Sequence, residues 1–140
     1  MPDSSRIEQP DDFEIDLQKL LETINQRIEY LYDRDHQIGH AYFIGITSKE
    51  TLNDVMRNKV IPLLQEYFYD DWEKIQMILG DHPNQKADIQ NKFIIETKTE
   101  EYSLFGFDHD DVDDERFVYE VASDFTSNAY VKIYKMNNAG

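Results

Sequence analysis

At 140 residues, with 40% hydrophobic and 13% aromatic side chains, the chain holds enough apolar material for one modest core and too little for two full domains. Its 29 acidic and 14 basic residues leave a net charge of -15, which repels a phosphate backbone at long range, so no direct nucleic-acid partner is expected. The absence of cysteine excludes a disulfide framework and any thiolate metal site. No apolar run reaches the roughly 18 residues of a membrane span, and no basic-then-apolar signal opens the chain. The expectation is therefore a cytoplasmic protein with no membrane partner.

Residues 1–15 are polar, carry Pro2 and Pro10 and show no periodicity, which reads as a leader or a severed linker from something upstream. From Asp16 the pattern changes. Leu17, Leu20, Leu21, Ile24, Ile28 and Leu31 recur at helical spacing, with Asp16 placed as the cap, and predict a helix ending near Asp33 to His36. Gly39 opposes helical continuation, so residues 36–46 read as a loop or short extended segment. Thr47 with Glu50 three residues on matches a capping box ahead of Leu52, Val55 and Met56. Pro62 is tolerated only within a first turn, which predicts a new helix around Lys59 to Ile61 and hence a helix, a kink and a helix. Asp70 with Glu73 repeats the capping pattern before WEKIQMILG, where Gly80 is a natural stop.

Beyond Pro83 the pieces KFIIETK, YSLFGF, RFVYEV and AYVKIYK are short, aromatic and β-branched, which predicts strands between polar turns. AYVKIYK fits a strand or a helical turn equally. The fold class expected is α+β: a small helical bundle over 16–81, then a short, β-rich, acidic extension over 82–140.

There is no GxxxxGK[ST] loop, no apolar strand ending in Asp-Glu and no Gly-x-Ser-x-Gly elbow, so catalysis by this chain alone is not expected. The sharpest feature is Ile38-Gly39-His40-Ala41-Tyr42-Phe43. There Gly39 allows close backbone approach to a ligand, and His40 could donate a hydrogen bond to a base, ribose or phosphate. Equally, Gly39 could make a turn and His40 cap or pack between helices. His36 and His40 lie four apart beside Asp33 and Asp35, yet Gly39 breaks the helix that would align them and no third ligand is spaced for a metal, so none is expected. The acidic run from Asp108 to Glu115 lacks the glycine and terminal glutamate spacing of a calcium loop and reads as a solvated tip. The aromatic run from Glu66 to Trp72 reads either as a recognition patch or as half-buried core.

LLETINQRIEYLYDRDHQIGHAYF, then a polar stretch, then NKVIPLLQEYFYDDWEKIQMILGD resembles the C-terminal region of McrB-type AAA+ GTPases, which carry an IGHSYF element, an IxPLLEEYF helix and a closing LLGD. The likeness covers about residues 16–81 in order; beyond it, NKFI, LFG and the AYVKIY end resemble the tails of some relatives. The resemblance implies a helical lid that covers the nucleotide held by an upstream AAA+ core and contacts neighbouring subunits of a ring. It also implies GTP and Mg in the parent protein and a McrC-like endonuclease partner in modification-dependent DNA restriction. By resemblance, Arg34, Ile38, Gly39 and His40 form the nucleotide-facing loop, and Tyr42, Phe43, Glu66, Tyr67, Phe68 and Trp72 a packing or interface surface. Gln37 stands where the family often has Arg, and Ala41 where Ser is common, leaving Arg34 as the nearest guanidinium. The other reading is a stand-alone acidic interaction module that kept the lid fold without a nucleotide-hydrolysing core.

Overall fold

A computed structural model of the chain describes residues 7, 9–10, 12–69, 71–99, 106 and 116–135, with the side chains of Arg34, Lys98, Thr99, Arg116 and Phe117 outside the description. The acidic run from Asp108 to Glu115 and, apart from Gly106, the YSLFGF segment also lie outside the described residues.

Helix α1 runs Leu17–Leu31 because its apolar residues fall on one stripe and its first turn is capped: the Asp16 carboxylate accepts from the Lys19 N–H at 3.0 Å. Leu17, Leu20, Leu21, Ile24 and Ile28 are all buried. The segment before it is not a free leader. Ile7 and Ile15 are buried, Gln9 Oε1 accepts from the Leu17 N–H at 2.7 Å, and Gln18 Oε1 accepts from the Ile7 N–H at 2.8 Å. These residues supply partners to N–H groups that a helix start leaves open, so burial and capping hold what the polar composition had assigned to a linker.

Two short 3-10 turns, Arg34–His36 and His40–Phe43, carry the chain to α2, Lys49–Val55. The cap of α2 is Ser48, accepting from Thr51 N–H at 3.2 Å, one residue later than Thr47. A π-helical stretch, Met56–Val60, then joins α2 to α3, Ile61–Tyr67. Pro62 sits in the first turn of α3, and the Ile61 N–H reaches back to Met56 O across the wider π turn. The N–H that Pro62 lacks thus falls where the hydrogen-bond register is already changing. Helix α4 spans Trp72–Leu79, capped by Asp71 rather than Asp70, which is outside the described residues, and stops at Gly80 in a left-handed conformation with φ 79°.

Strands β1, Ile94–Thr99, and β2, Arg116–Val121, pair antiparallel with Ile94 opposite Val121 and Thr99 opposite Arg116. AYVKIYK resolves as helix: α5 spans Ser127–Lys135 and buries Ala129, Tyr130, Ile133 and Tyr134 on one face. A strand would have sent alternate members of that set to solvent. The architecture is α+β, a helical bundle carrying a small two-stranded sheet.

The core crosses the boundary expected at residue 81. Leu20, Ile24, Ile28, Leu64 and Ile78 share one buried cluster with Phe93, Ile94, Phe125, Tyr130 and Ile133. Described residues beyond the boundary, from Phe93 to Tyr134, are therefore part of the same core rather than an appendage. Polar contacts follow the same path. Arg27 donates from Nη1 to Ile78 O at 2.8 Å and from Nη2 to Ile133 O at 2.9 Å, placing a guanidinium at the last turns of α4 and α5, where the negative ends of both helix dipoles favour a cation. Arg57 donates to the carbonyls of Ala122 and Ser123 and lies 4.5 Å over the Phe125 ring.

Candidate functional site

Tyr32 ends α1, with its N–H bonded to Ile28 O at 2.8 Å, and starts an aromatic corner where the 33–43 loop meets the end of α3. The Tyr32 ring stacks on His36 at 4.3 Å between centroids and lies 5.6 Å from Phe68, while Tyr67 meets His36 edge-on at 5.0 Å. Such offset and edge-to-face pairs contribute beyond their buried area and restrict ring orientation. Tyr69 follows at φ 51°, a left-handed backbone unusual for a tyrosine, and is 85% exposed. Burial first, then neighbouring Tyr69 and Asp33, holds the Tyr32 hydroxyl above its ordinary range; burial, then Tyr42 and Glu66, does the same for Tyr67.

His36 Nδ1 lies 2.6 Å from Asp33 Oδ1. This hydrogen bond, joined by the charge of the imidazole, holds the Asp33 carboxyl below its usual range against the opposing effect of burial. A carboxylate depressed from a reference of 3.8 contributes stability that is complete above about pH 4 and is lost as pH falls through the lower folded value. Acidification from pH 5 to pH 3 should therefore loosen the corner, seen as shifts of the Tyr32 and Tyr67 ring protons. In Asn-substituted Asp33 (Asp33→Asn) that acid-side change should vanish, and its persistence would separate the corner from this carboxylate.

The loop residues divide into anchors and presented groups. Ile38 is 2% exposed and Phe43 fully buried, so the Ile38 side chain anchors the loop rather than facing a nucleotide, and Phe43 belongs to the core rather than to an interface. Asn25 Oδ1 accepts from the Ile38 N–H at 2.6 Å, and Asn25 Nδ2 donates to the Ile38 carbonyl at 3.0 Å. Gly39 is exposed, with φ -70° and ψ 143°, and a Cβ built on it meets nothing within 4 Å. The fold of this chain thus makes no demand for glycine there. His40 is half-buried at the start of its 3-10 turn, and its ring has no hydrogen bond among the described residues. The side chain of Arg34 is outside the described residues.

Of the expected packing group, Tyr42 and Glu66 are exposed, Tyr67 is half-buried and Phe68 is buried. Trp72 is taken within the chain: its ring stacks on Tyr119 of β2 at 5.8 Å and 10°. Tyr42, Glu66 and Tyr67 converge on the aromatic corner and Trp72 faces the hairpin, so the run from Glu66 to Trp72 does not form one patch. Among the described residues no three His, Asp or Glu side chains gather as a metal site. An open groove of about 480 Å3 lies elsewhere, lined by Gln26, Arg27, Tyr30, Leu31, Met77 and Gln85, and its guanidinium is the one already bonded to Ile78 and Ile133.

Asp81 is the functional-looking residue that periodicity misses. It is fully buried, its Oδ2 accepts from the N–H groups of both Phe93 and Ile94 at 2.8 Å, and Lys132 Nζ lies 2.8 Å from its Oδ1. Lys132 also donates to Leu79 O at 2.8 Å and lies over the Phe93 ring. Burial pushes the Asp81 carboxyl up and the Lys132 ammonium down, and their mutual attraction opposes both shifts. The only signal was its place at the end of Ile78-Leu79-Gly80-Asp81, where the resembled family closes on LLGD.

The long first helix leads into an exposed turn, with a Pro-started helix and an Asp-capped fourth helix behind it. Residues 16–76 match the family described as McrB, alpha-helical lid domain, and this region is a McrB-type AAA+ lid. No curated protein matches the chain. Among the described residues no helix is long and apolar enough to cross a membrane.

Proposed function

We propose that the chain is the C-terminal lid of a McrB-like AAA+ GTPase that drives modification-dependent DNA restriction, and that it is not catalytic by itself. The observation that carries this reading is the lid match over residues 16–76, which implies work alongside an AAA+ core. In this reading the core supplies the phosphate-binding loop and holds GTP and Mg. Gly39 and His40 face the nucleotide, exposed Tyr42 and Glu66 meet the core or the next subunit of a ring, and a McrC-like endonuclease is the downstream partner. Open space over Gly39 and an imidazole without a hydrogen bond among the described residues suit a loop that receives a ligand from outside the chain.

A triphosphate approaching a body of net charge -15 is repelled unless donors are concentrated locally, so the isolated chain should not bind GTP with Mg measurably in calorimetry. Joined to its core, His40→Ala should lower GTP turnover by about tenfold, the effect of losing one buried hydrogen bond of about 1 to 3 kcal/mol. Tight GTP binding by the isolated chain, or unchanged turnover in the joined variant, would remove His40 from this role. The alternative, a stand-alone acidic interaction module, is favoured by one observation: described residues from Ile7 to Tyr134 share one buried cluster. Loss of turnover in His40→Ala separates the two, since a stand-alone module has no turnover to lose.

A further inference from the structure

The backbone between Ile38 and His40 contains a glycine in an ordinary extended conformation, so nothing local fixes the direction in which His40 leaves the core. The constraint comes from α1. The Asn25 carboxamide meets both polar groups of Ile38, accepting its N–H at 2.6 Å and donating to its carbonyl at 3.0 Å. A carboxamide holds a donor and an acceptor rigidly in one plane, so it closes on the N–H and C=O of a single residue much as a neighbouring strand does. Burial of the Ile38 side chain fixes where the loop sits, and the Asn25 amide fixes how the Ile38–Gly39 peptide plane is turned. Without it, two polar groups of a buried residue lose their partners, and the Gly39–His40 step recovers the freedom of a glycine.

We infer that Asn25 is a positioning residue: it sets the pose in which Gly39 and His40 are presented, without touching the ligand itself. The functional half of this inference rests on the reading of the loop given above; the clamp does not.

Two substitutions separate the halves of the clamp. Asn25→Ala removes both bonds, whereas Asn25→Asp keeps the acceptor for the Ile38 N–H and turns a carboxylate oxygen toward the Ile38 carbonyl. In the isotope-labelled chain, Asn25→Ala should speed amide exchange at Ile38 about tenfold relative to amides of α4 and α5, and move the Ile38 carbonyl and Gly39 nitrogen shifts. Asn25→Asp should leave Ile38 protected and move only the carbonyl-side signals. Asn25→Asp alone decides the point should the alanine variant not fold. Uniform acceleration across α1, α4 and α5, or unmoved carbonyl-side signals in Asn25→Asp, would reduce Asn25 to ordinary packing. In a protein carrying the AAA+ core, Asn25→Asp should lower GTP turnover about as much as His40→Ala does. A loss with His40→Ala alone overturns the positioning role, and no loss with either overturns the nucleotide-facing reading while the exchange data still judge the clamp.

Discussion

Replacing Asp81 by alanine should cost about 3 to 5 kcal/mol in urea melts, the range for removing one partner of a buried ion pair. The loss has two sources. The N–H groups of Phe93 and Ile94 are left without an acceptor inside the core, and the Lys132 ammonium keeps its desolvation without its counter-charge. Against a domain stability of about 5 to 15 kcal/mol, that is a large fraction. Because burial opposes the ionised pair at both ends, the pair itself adds little net stability, and its role is to join three elements at one point. Asp81→Asn combined with Lys132→Met should accordingly recover much of the loss, since the asparagine oxygen can still accept a backbone N–H and no buried charge remains. A change below about 1 kcal/mol in Asp81→Ala would mean that water or rearrangement replaces the carboxylate readily.

Ending the chain after Gly80 should abolish cooperative folding of the lid. Phe93, Phe125, Tyr130 and Ile133 are fully buried, and burying each such side chain is worth about 1.5 to 3 kcal/mol, so their joint removal approaches the whole stability of a small domain. The truncation also strips Arg27 of its Ile133 acceptor and Asn53 of the Tyr130 hydroxyl, which donates to it at 2.5 Å. Circular dichroism should show residual helix with no sharp thermal transition, as expected for helices deprived of the surface that orders them. A two-state melt from the truncated chain within about 1 kcal/mol of the full one would make the family-matched segment self-sufficient and the rest an accessory.

The lid was legible because its signals are local. Helix α1 follows directly from Asp16 and the stripe Leu17 to Ile28, and Pro62 placed the start of α3 around Lys59 to Ile61, within which it begins at Ile61. Local signals also erred locally. Thr47 and Asp70 were each one residue early, because Ser48 and Asp71 are equally good caps and only the approach of the preceding chain chooses between neighbours. The loop 38–43 was singled out by its residues, but its division into buried Ile38 and Phe43 and exposed Gly39 and Tyr42 was not visible there.

By itself the sequence determined an acidic α+β chain with no cysteine chemistry, the helices of its first half, a stop at Gly80 and the resemblance of residues 16–81 to a McrB-type lid, because composition, capping and periodicity act within one or two turns. Tertiary structure alone decided that α5 is a helix, that Ile7, Ile15, Phe93, Ile94, Phe125, Tyr130 and Ile133 join the lid's core, and that Asn25, Arg27, Arg57, Asp81 and Lys132 tie the pieces together. Each of those five polar side chains acts on a partner at least 13 residues away, and Arg27 reaches one 106 residues away, so no local pattern can announce it. The short apolar run of α5 could satisfy either period until the face of α1 and the Phe93 ring offered it a surface to cover.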